Sequence, residues 1–351
     1  MPIRSITACS CSREQAVTLT VNDEAPVLYN GMTERSPNLP PFENLVDKTS
    51  LTTTAPAEED APRVARIPIT EDAVILAEAH GGANAPRTLV VLHGGPGLSH
   101  HYTRAFLDLA GEDLQVVVFD QRGVGASTPM DAPHHSLTNQ VEDLEVLREN
   151  FALEQMIVLG HSWGGLIGMG YAAKYPERVA ALVLVDTLAP DVKTLHRTFD
   201  AFDRRIEERI AQGYIPAELP EVADDDGTAD LIALLPAYFH DPLHEDTTHL
   251  GGSSRNADVL EATHRNSAEF DYREQLSELR APSIIFHGAS DPFGMEGAEE
   301  AASALANSLR ASVIIERCGH IPWEECPEPF FSELKRFLAA PEVYEAQEMV
   351  R

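Results

Sequence analysis

The ten residues MIVLGHSWGG, 156–165, decide the fold, because they join an apolar strand to a helix through a G-x-S-x-G turn. Met156–Leu159 has the length and composition of a strand buried on both faces of a sheet. Glycines on both sides of Ser162 leave room for a sharp turn, in which neighbouring side chains would collide. The turn lifts the Ser162 hydroxyl above the sheet, at a helix N-terminus whose dipole favours a developing anion. Ser162 is therefore predicted to be a nucleophile.

Further apolar runs, each bounded by turn residues, extend this strand into a sheet. They are Thr88–Leu92, Leu114–Phe119, Ala181–Val185, Ser283–Phe286 and Ser312–Ile315. Between them, apolar residues recur at the spacing of helices. Strands that alternate with helices predict an α/β fold with a mostly parallel central sheet and helices on both faces.

The alternation stops between residues 189 and 279, where the chain is charged and helical in pattern. We predict that this stretch is a helical cap inserted into the α/β core. Residues 1–62 are rich in Thr, Pro, Asn and Glu, and we interpret them as an N-terminal extension with weak local order. The core then comprises residues 63–188 and 280–351.

Two later loops supply partners for the serine, whose hydroxyl is a poor nucleophile until a base removes its proton. His320 lies in ERCGHIP, directly after the strand 312–315, and Asp291 lies in HGASDP, after the strand 283–286. In the order Ser162, Asp291, His320, each residue follows a strand, as a catalytic triad on a parallel sheet requires. Asp291 is expected to hold the tautomer of His320.

The segment HGGPG, 93–97, follows the strand Thr88–Leu92 and predicts an oxyanion hole. Consecutive glycines leave backbone N–H groups uncovered, so that an anionic oxygen can approach them. We assign the two donors to the N–H groups of Gly95 and Trp163. A dinucleotide site is the competing interpretation, but the glycines do not have the G-x-G-x-x-G spacing.

The acidic balance restricts the partners, because 56 acidic and 26 basic residues give a formal net charge of −30. Such a surface repels phosphate backbones and anionic headgroups, so neither a nucleic acid nor a membrane is expected as a partner. Only four cysteines and no apolar signal-peptide core are present, which favours a cytoplasmic protein. A homo-oligomer is left open.

No cofactor is expected, because the predicted chemistry needs neither a metal nor an organic group. His240 and His244 are four residues apart, a spacing that could hold a metal on one helix face. Pro242 between them argues against a regular helix, and we therefore predict no metal site.

Three motifs carry a resemblance to a known family. HGGPG (93–97), DQRGVGAS (120–127) and GHSWGG (160–165) resemble those of the proline iminopeptidases, which have the α/β-hydrolase fold. NQVEDLEVLR (139–148) and YPERV (175–179) are also similar to that family. The resemblance extends from about Arg66 to Leu338 and is weakest in the predicted cap.

The resemblance implies an aminopeptidase that releases an N-terminal residue, typically proline, from small peptides. It also implies that carboxylates of the cap bind the free amine of the substrate. Glu207 and Glu245 are our candidates for that role, and Gly94 is a further candidate for substrate binding.

Two other functions stay open. The same motifs occur in relatives that cleave esters, lactones or other amides, so an esterase or lactonase acting on a small-molecule ester is the alternative. A catalytically silent binding protein that uses the cap as a ligand pocket is a third hypothesis, against which an intact triad argues.

Overall fold

A computed structural model describes residues 62–219, 229–245, 250, 252–267 and 269–345. The predicted N-terminal extension, 1–62, therefore lies outside the described residues except for its last residue. No helix of the described ranges is long and apolar enough to cross a lipid bilayer.

The described chain contains one eight-stranded sheet, in the spatial order β1-β2-β4-β3-β5-β6-β7-β8. Strands β3 to β8 run parallel, and β1 and β2 add an antiparallel edge. The strands are β1 (Arg63–Pro68), β2 (Val74–His80), β3 (Arg87–Leu92), β4 (Leu114–Phe119), β5 (Met156–His161), β6 (Val179–Val185), β7 (Ser283–Gly288) and β8 (Leu309–Ile315).

Burial explains why the sequence pattern identified some strands and not others. Every residue of β4, β5 and β7 is buried, so each of these strands is a nearly continuous apolar run in the sequence. Strands β1 and β2 alternate between more and less buried residues, because they form the antiparallel edge of the sheet. Their polar positions interrupt the apolar run, and the sequence did not mark them as separate strands.

Helices cover both faces of the sheet, as the alternating pattern predicted. The helices are α1 (Leu137–Asn150), α2 (Trp163–Lys174), α3 (Val192–Ala211), α4 (Ala229–Tyr238), α5 (Ala257–Asn266), α6 (Arg273–Ser277), α7 (Glu296–Ala304), α8 (Pro322–Glu325) and α9 (Pro327–Ala339). Helices α1, α2 and α7 pack into the hydrophobic core of one face. Helix α9 and a 3₁₀ helix, His100–Leu109, pack into the core of the other face. The predicted α/β fold is therefore confirmed.

The chain between β6 and β7 contains helices α3 to α6 and, among its described residues, no strand of the sheet. Helix α3 begins at an N-cap, where the Asp191 carboxylate accepts the N–H of Thr194 over 3.0 Å. Only Thr194, Leu195 and Thr198 of α3 are buried, so this long helix packs against the rest of the protein mainly at its N-terminal end.

A buried ion pair joins the DQRG loop after β4 to helix α1. The Arg122 guanidinium donates to both carboxylate oxygens of Asp143, from Nε over 2.7 Å and from Nη2 over 2.6 Å. Its remaining N–H groups donate to the carbonyl oxygens of His134 and Asn139. Because both side chains are almost fully buried, neither charge has water as an alternative partner.

We predict that Asp143→Ala lowers the free energy of unfolding by about 3–5 kcal/mol, because it leaves the Arg122 charge buried without its partner. Urea unfolding followed by circular dichroism measures the change. The matched control is Glu261→Ala, which removes the carboxylate of an exposed ion pair with Arg265 on α5. Equal stability of the two variants would contradict a structural role for the buried pair.

Candidate active site

The turn between β5 and α2 presents Ser162 as the sequence pattern predicted. Ser162 has φ +55° and ψ −120°, a conformation that non-glycine residues adopt at the cost of strain. A Cβ atom on Gly160 would lie 2.3 Å from the carbonyl oxygen of Gly164, and one on Gly164 would lie 2.1 Å from that of Leu92. The strand and the helix therefore approach so closely that only glycine fits at these two positions.

The loop after β3 lies beside this turn and is fixed by His93. The Nδ1–H of His93 donates to the carbonyl oxygen of Gly94 over 2.9 Å, and its Nε2 accepts the N–H of Gln121 over 3.1 Å. The Gln121 side chain returns a hydrogen bond of 2.7 Å to the carbonyl oxygen of His93. Burial lowers the pKa of His93 to about 4, so the ring stays neutral and keeps this arrangement. The HGGPG and DQRG motifs are thus one hydrogen-bonded unit.

His320 and Asp291 are brought together at the ends of β8 and β7. Asp291 Oδ2 lies 2.6 Å from His320 Nδ1, and both residues are buried. The other oxygen of Asp291 accepts the N–H of Phe293 over 2.7 Å. Burial alone would raise the pKa of Asp291, but the adjacent His320 outweighs it and holds the pKa below its ordinary value. Asp291 is therefore ionised and orients the imidazole.

Ser162 and His320 line the same cavity, which has a volume of about 60 Å³. Gly95, one of the two predicted oxyanion donors, lines it as well, and Trp163, the other, begins helix α2 directly after Ser162. The rest of the lining is mostly apolar or aromatic, and comprises Leu98, Tyr102, His161, Leu231, Leu235, Tyr238, Leu250, Ser253, Phe293 and Ile321.

The predicted substrate-binding residues lie elsewhere or have other partners. Glu207 and Glu245 are exposed and are not part of the cavity lining, in which the described chain places no carboxylate at all. The N–H of Gly94 is occupied by a hydrogen bond to the Tyr102 hydroxyl. A Cβ atom on Gly94 would lie 2.9 Å from that of Ser162, so this glycine keeps space open beside the serine.

Tyr102 and His161 form a connection that the sequence analysis did not find. The Tyr102 hydroxyl lies 2.9 Å from His161 Nδ1, and His161 Nε2 lies 2.7 Å from the carbonyl oxygen of His320. Burial holds the pKa of His161 well below its ordinary value, so the ring is neutral. The connection therefore joins the loop after β3 to the loop that carries His320. No sequence signal marks Tyr102, which lies on a 3₁₀ helix outside every motif.

Asp186 is a second buried carboxyl group behind Asp291. It directly follows β6, and its φ of +43° is positive, as is that of Ser162. One carboxylate oxygen of Asp186, one of Asp291 and one ring nitrogen of His287 lie within 4.8 Å of one another. Burial raises the pKa of Asp186 well above its ordinary value, and the nearby Asp291 raises it further. Asp186 is therefore protonated, since two close carboxylates cannot both ionise in a dry site.

The two histidines considered for a metal site point to different partners. His240 Nδ1 lies 2.7 Å from the Ser290 hydroxyl. The His244 ring packs against Phe239, with ring centroids 4.6 Å apart.

We predict that Asp186→Asn stabilises the protein increasingly as the pH rises above about 4, the ordinary pKa of an aspartate in an unfolded chain. In the folded parent Asp186 keeps its proton, whereas the unfolded chain releases it, so the parent loses stability as the pH rises. An amide has no proton to release. Urea unfolding at pH 5, 7 and 9 measures the difference, with Asp108→Asn as an exposed control. A difference that does not change with pH would contradict the protonated state.

Comparison with known proteins agrees with this fold. The chain matches the model of a family described as alpha/beta hydrolase fold over residues 87–326, more than half of its length. It is 30% identical over 260 residues to the proline iminopeptidase of Lactobacillus delbrueckii subsp. bulgaricus, covering 69% of this chain and 86% of that protein. It is 28% identical over 270 residues to the proline iminopeptidase of Lactobacillus helveticus, covering 71% of this chain and 89% of that protein.

Solved structures give the same assignment. A proline iminopeptidase-related protein from Thermus thermophilus superimposes with a TM-score of 0.62 at 25% identity, covering 80% of this chain and 98% of that one. An esterase from Rhodococcus sp. ECU1013 superimposes with a TM-score of 0.59 at 20% identity, covering 79% of this chain and 99% of that one, a likeness of fold alone. The resemblance found in the sequence motifs is confirmed. The chain belongs to the α/β-hydrolase fold family, in which the proline iminopeptidases are among its relatives.

Proposed function

We propose that this protein is a serine hydrolase that releases an N-terminal residue, typically proline, from small peptides through an acyl-enzyme. The observation that carries the proposal is the meeting of Ser162 and His320 in one cavity, with His320 held by Asp291 over 2.6 Å. The peptidase part is supported by the relatives, which are proline iminopeptidases at 28–30% identity. The low cysteine content is consistent with a cytoplasmic site of action.

In the proposed mechanism, Asp291 keeps the proton of His320 on Nδ1, which leaves Nε2 free to act as a base. Nε2 takes the proton of Ser162 as Oγ attacks the carbonyl carbon of the substrate. The oxyanion that forms is stabilised by the N–H groups of Gly95 and Trp163, each of which contributes about 3–4 kcal/mol in comparable sites. His320 then protonates the leaving amine, and a water molecule repeats the sequence to release the acid.

The cavity wall supports a small apolar acyl group as the part of the substrate that binds there. Leu231, Leu235 and Leu250, from the segment between β6 and β7, line the cavity together with Ser162. Phe293, which closely follows Asp291 in the chain, lines it as well. A pyrrolidine ring is compact and mostly apolar, so its character suits this lining. Burial of such a ring is favourable in proportion to the apolar area removed from water.

An esterase or lactonase is the second candidate, and the cavity gives a specific reason for it. A free amine would need a carboxylate partner in so apolar a site. The lining residues that the structure describes offer none, and Glu207 and Glu245 are exposed to solvent. An ester or lactone has no charged amine and needs no such partner.

We predict that Ser162→Ala lowers kcat/KM by at least about 10⁴-fold, because it removes the hydroxyl that forms the acyl-enzyme. Hydrolysis of a chromogenic proline arylamide or p-nitrophenyl ester measures the loss. Circular dichroism and thermal unfolding should match the parent, since alanine fills the turn as serine does. Ser332→Ala, on the exposed face of α9, is the matched control. Parent-like turnover by the Ser162 variant would refute the assigned nucleophile.

The choice between the two substrate classes depends on the free amine. We predict that the parent protein hydrolyses proline p-nitroanilide and that acetylation of the proline nitrogen reduces kcat/KM by about 10-fold or more, on the order expected for loss of one charged hydrogen-bonding group. A p-nitrophenyl ester of a small apolar acid is measured beside the pair. Hydrolysis of the ester alone would assign the protein to the esterases and leave Ser162, Asp291 and His320 in their roles.

A further inference from the structure

The Glu325 carboxylate connects two segments that are far apart in sequence. Its Oε2 accepts the N–H of Gly319 over 2.6 Å and the N–H of His240 over 3.0 Å. Its Oε1 accepts the N–H of Asp241 over 2.8 Å. Gly319 immediately precedes His320, whereas His240 and Asp241 follow helix α4. Three backbone donors thus converge on one charged acceptor, which makes each hydrogen bond stronger than one between neutral groups.

The segment Tyr238–Asp241, at the C-terminal end of α4, has further contacts with both proposed catalytic loops. The carbonyl oxygen of Tyr238 accepts the N–H of His320 over 2.8 Å, and His240 Nδ1 lies 2.7 Å from the hydroxyl of Ser290, which precedes Asp291. A Cβ atom on Gly319 would lie 2.1 Å from the Tyr238 carbonyl oxygen. The segment and the histidine loop are therefore in direct backbone contact.

Arg209 of helix α3 binds two backbone carbonyl groups of this segment. Its Nη2 donates to the carbonyl oxygens of Phe239 and His240 over 3.2 and 3.1 Å. The N–H groups of His240 and Asp241 thus face a carboxylate, and the carbonyl groups of Phe239 and His240 face a guanidinium. Both sets of backbone groups are satisfied by charged side chains, which defines the position of the segment more closely than packing alone would.

Helix α4 is also a wall of the cavity. Leu231, Leu235 and Tyr238 of α4 line it together with Ser162, and the centroids of the Tyr238 and His320 rings are 5.6 Å apart. The position of this wall and the position of His320 are therefore determined by the same few hydrogen bonds. A substrate held against α4 meets a histidine whose loop is attached to the end of that helix.

We propose that Glu325 is a positioning residue, whose carboxylate attaches the end of α4 to the His320 loop and so keeps the substrate wall and the general base in one fixed geometry. The inference rests on the proposed role of His320. It goes beyond that role, because Glu325 does not itself line the cavity that contains Ser162 and His320. A general base displaced by about 1 Å loses on the order of 10²-fold in rate, so a residue that only positions it can control kcat.

The test compares Glu325→Ala and Glu325→Gln with the parent, and Glu328→Ala on the exposed first turn of α9 is the control. Glu325→Ala should lower kcat by about 10- to 100-fold with a smaller change in KM, because it loosens the histidine loop and the end of α4 but removes no residue of the cavity lining. Glu325→Gln should lose less, since its amide oxygen still accepts the two N–H groups that Oε2 binds. The Glu328 control should behave as the parent.

A measurement without substrate separates this inference from the proposed function. The Nδ1–H proton of His320, in its short hydrogen bond to Asp291, should give a downfield proton NMR resonance, assigned by its loss in His320→Ala. We expect Glu325→Ala to broaden or remove that resonance while the protein stays folded, and Glu325→Gln to retain it in part. The resonance requires no turnover, so it reports on His320 whatever the substrate proves to be.

Two results would overturn the inference. In the first, Glu325→Ala keeps both the parent kcat and the parent resonance, so that the carboxylate does not position His320. In the second, the variant melts at a lower temperature, but the kcat of its folded fraction and the resonance are those of the parent. Glu325 would then only stabilise the fold. Failure of the Ser162→Ala prediction would instead remove the nucleophile and leave the NMR result standing.

Discussion

The close approach of strand β5 to helix α2 is the constraint on which the rest of the site depends. A Cβ atom on Gly160 would collide with the carbonyl oxygen of Gly164, and one on Gly164 would collide with that of Leu92. Neither position therefore accepts a side chain. Because the backbone turns so tightly, Ser162 takes a φ of +55° and its hydroxyl lies at the carboxyl edge of the sheet. Strand β5 and helix α2 are both buried, and their packing keeps Ser162 in this strained conformation.

In a parallel sheet, the loops that follow the strands all lie at the same edge, so the other polar groups of the site lie near Ser162. Strands β5, β7 and β8 all end there, so Ser162, Asp291 and His320 converge although they are far apart in sequence. The loop after β3 reaches the edge next to β5, because β3 and β5 are neighbours in the sheet. The short side chains of Asp and His suffice to span the remaining gap, as the distance of 2.6 Å between His320 and Asp291 indicates.

How far the sequence predicted the structure depended on whether a feature is local. The strands buried on both faces, the turn at Ser162 and the order of the triad residues each have a signal within about ten residues, and the structure has them in these places. Glu207 and Glu245 were chosen by charge alone, and charge does not reveal which face of a segment is exposed. Asp186 did follow a strand, a signal that was present and overlooked. Glu325 binds the backbone of His240 and Asp241, and Tyr102 binds the His161 side chain; these partners are far away in sequence, and single-sequence patterns do not reveal them.

The hydrogen bonds from Gly94 through Tyr102 and His161 to His320 have a fixed direction. A backbone N–H can only donate, so the Tyr102 oxygen accepts from Gly94 and its hydroxyl proton points to His161 Nδ1. His161 then carries its own proton on Nε2, which donates to the carbonyl oxygen of His320. One amide thus sets the orientation of every polar group in the series. In the proposed acyl transfer, these dipoles already have a fixed orientation when charge develops on the substrate, so little free energy would be lost to their reorganisation.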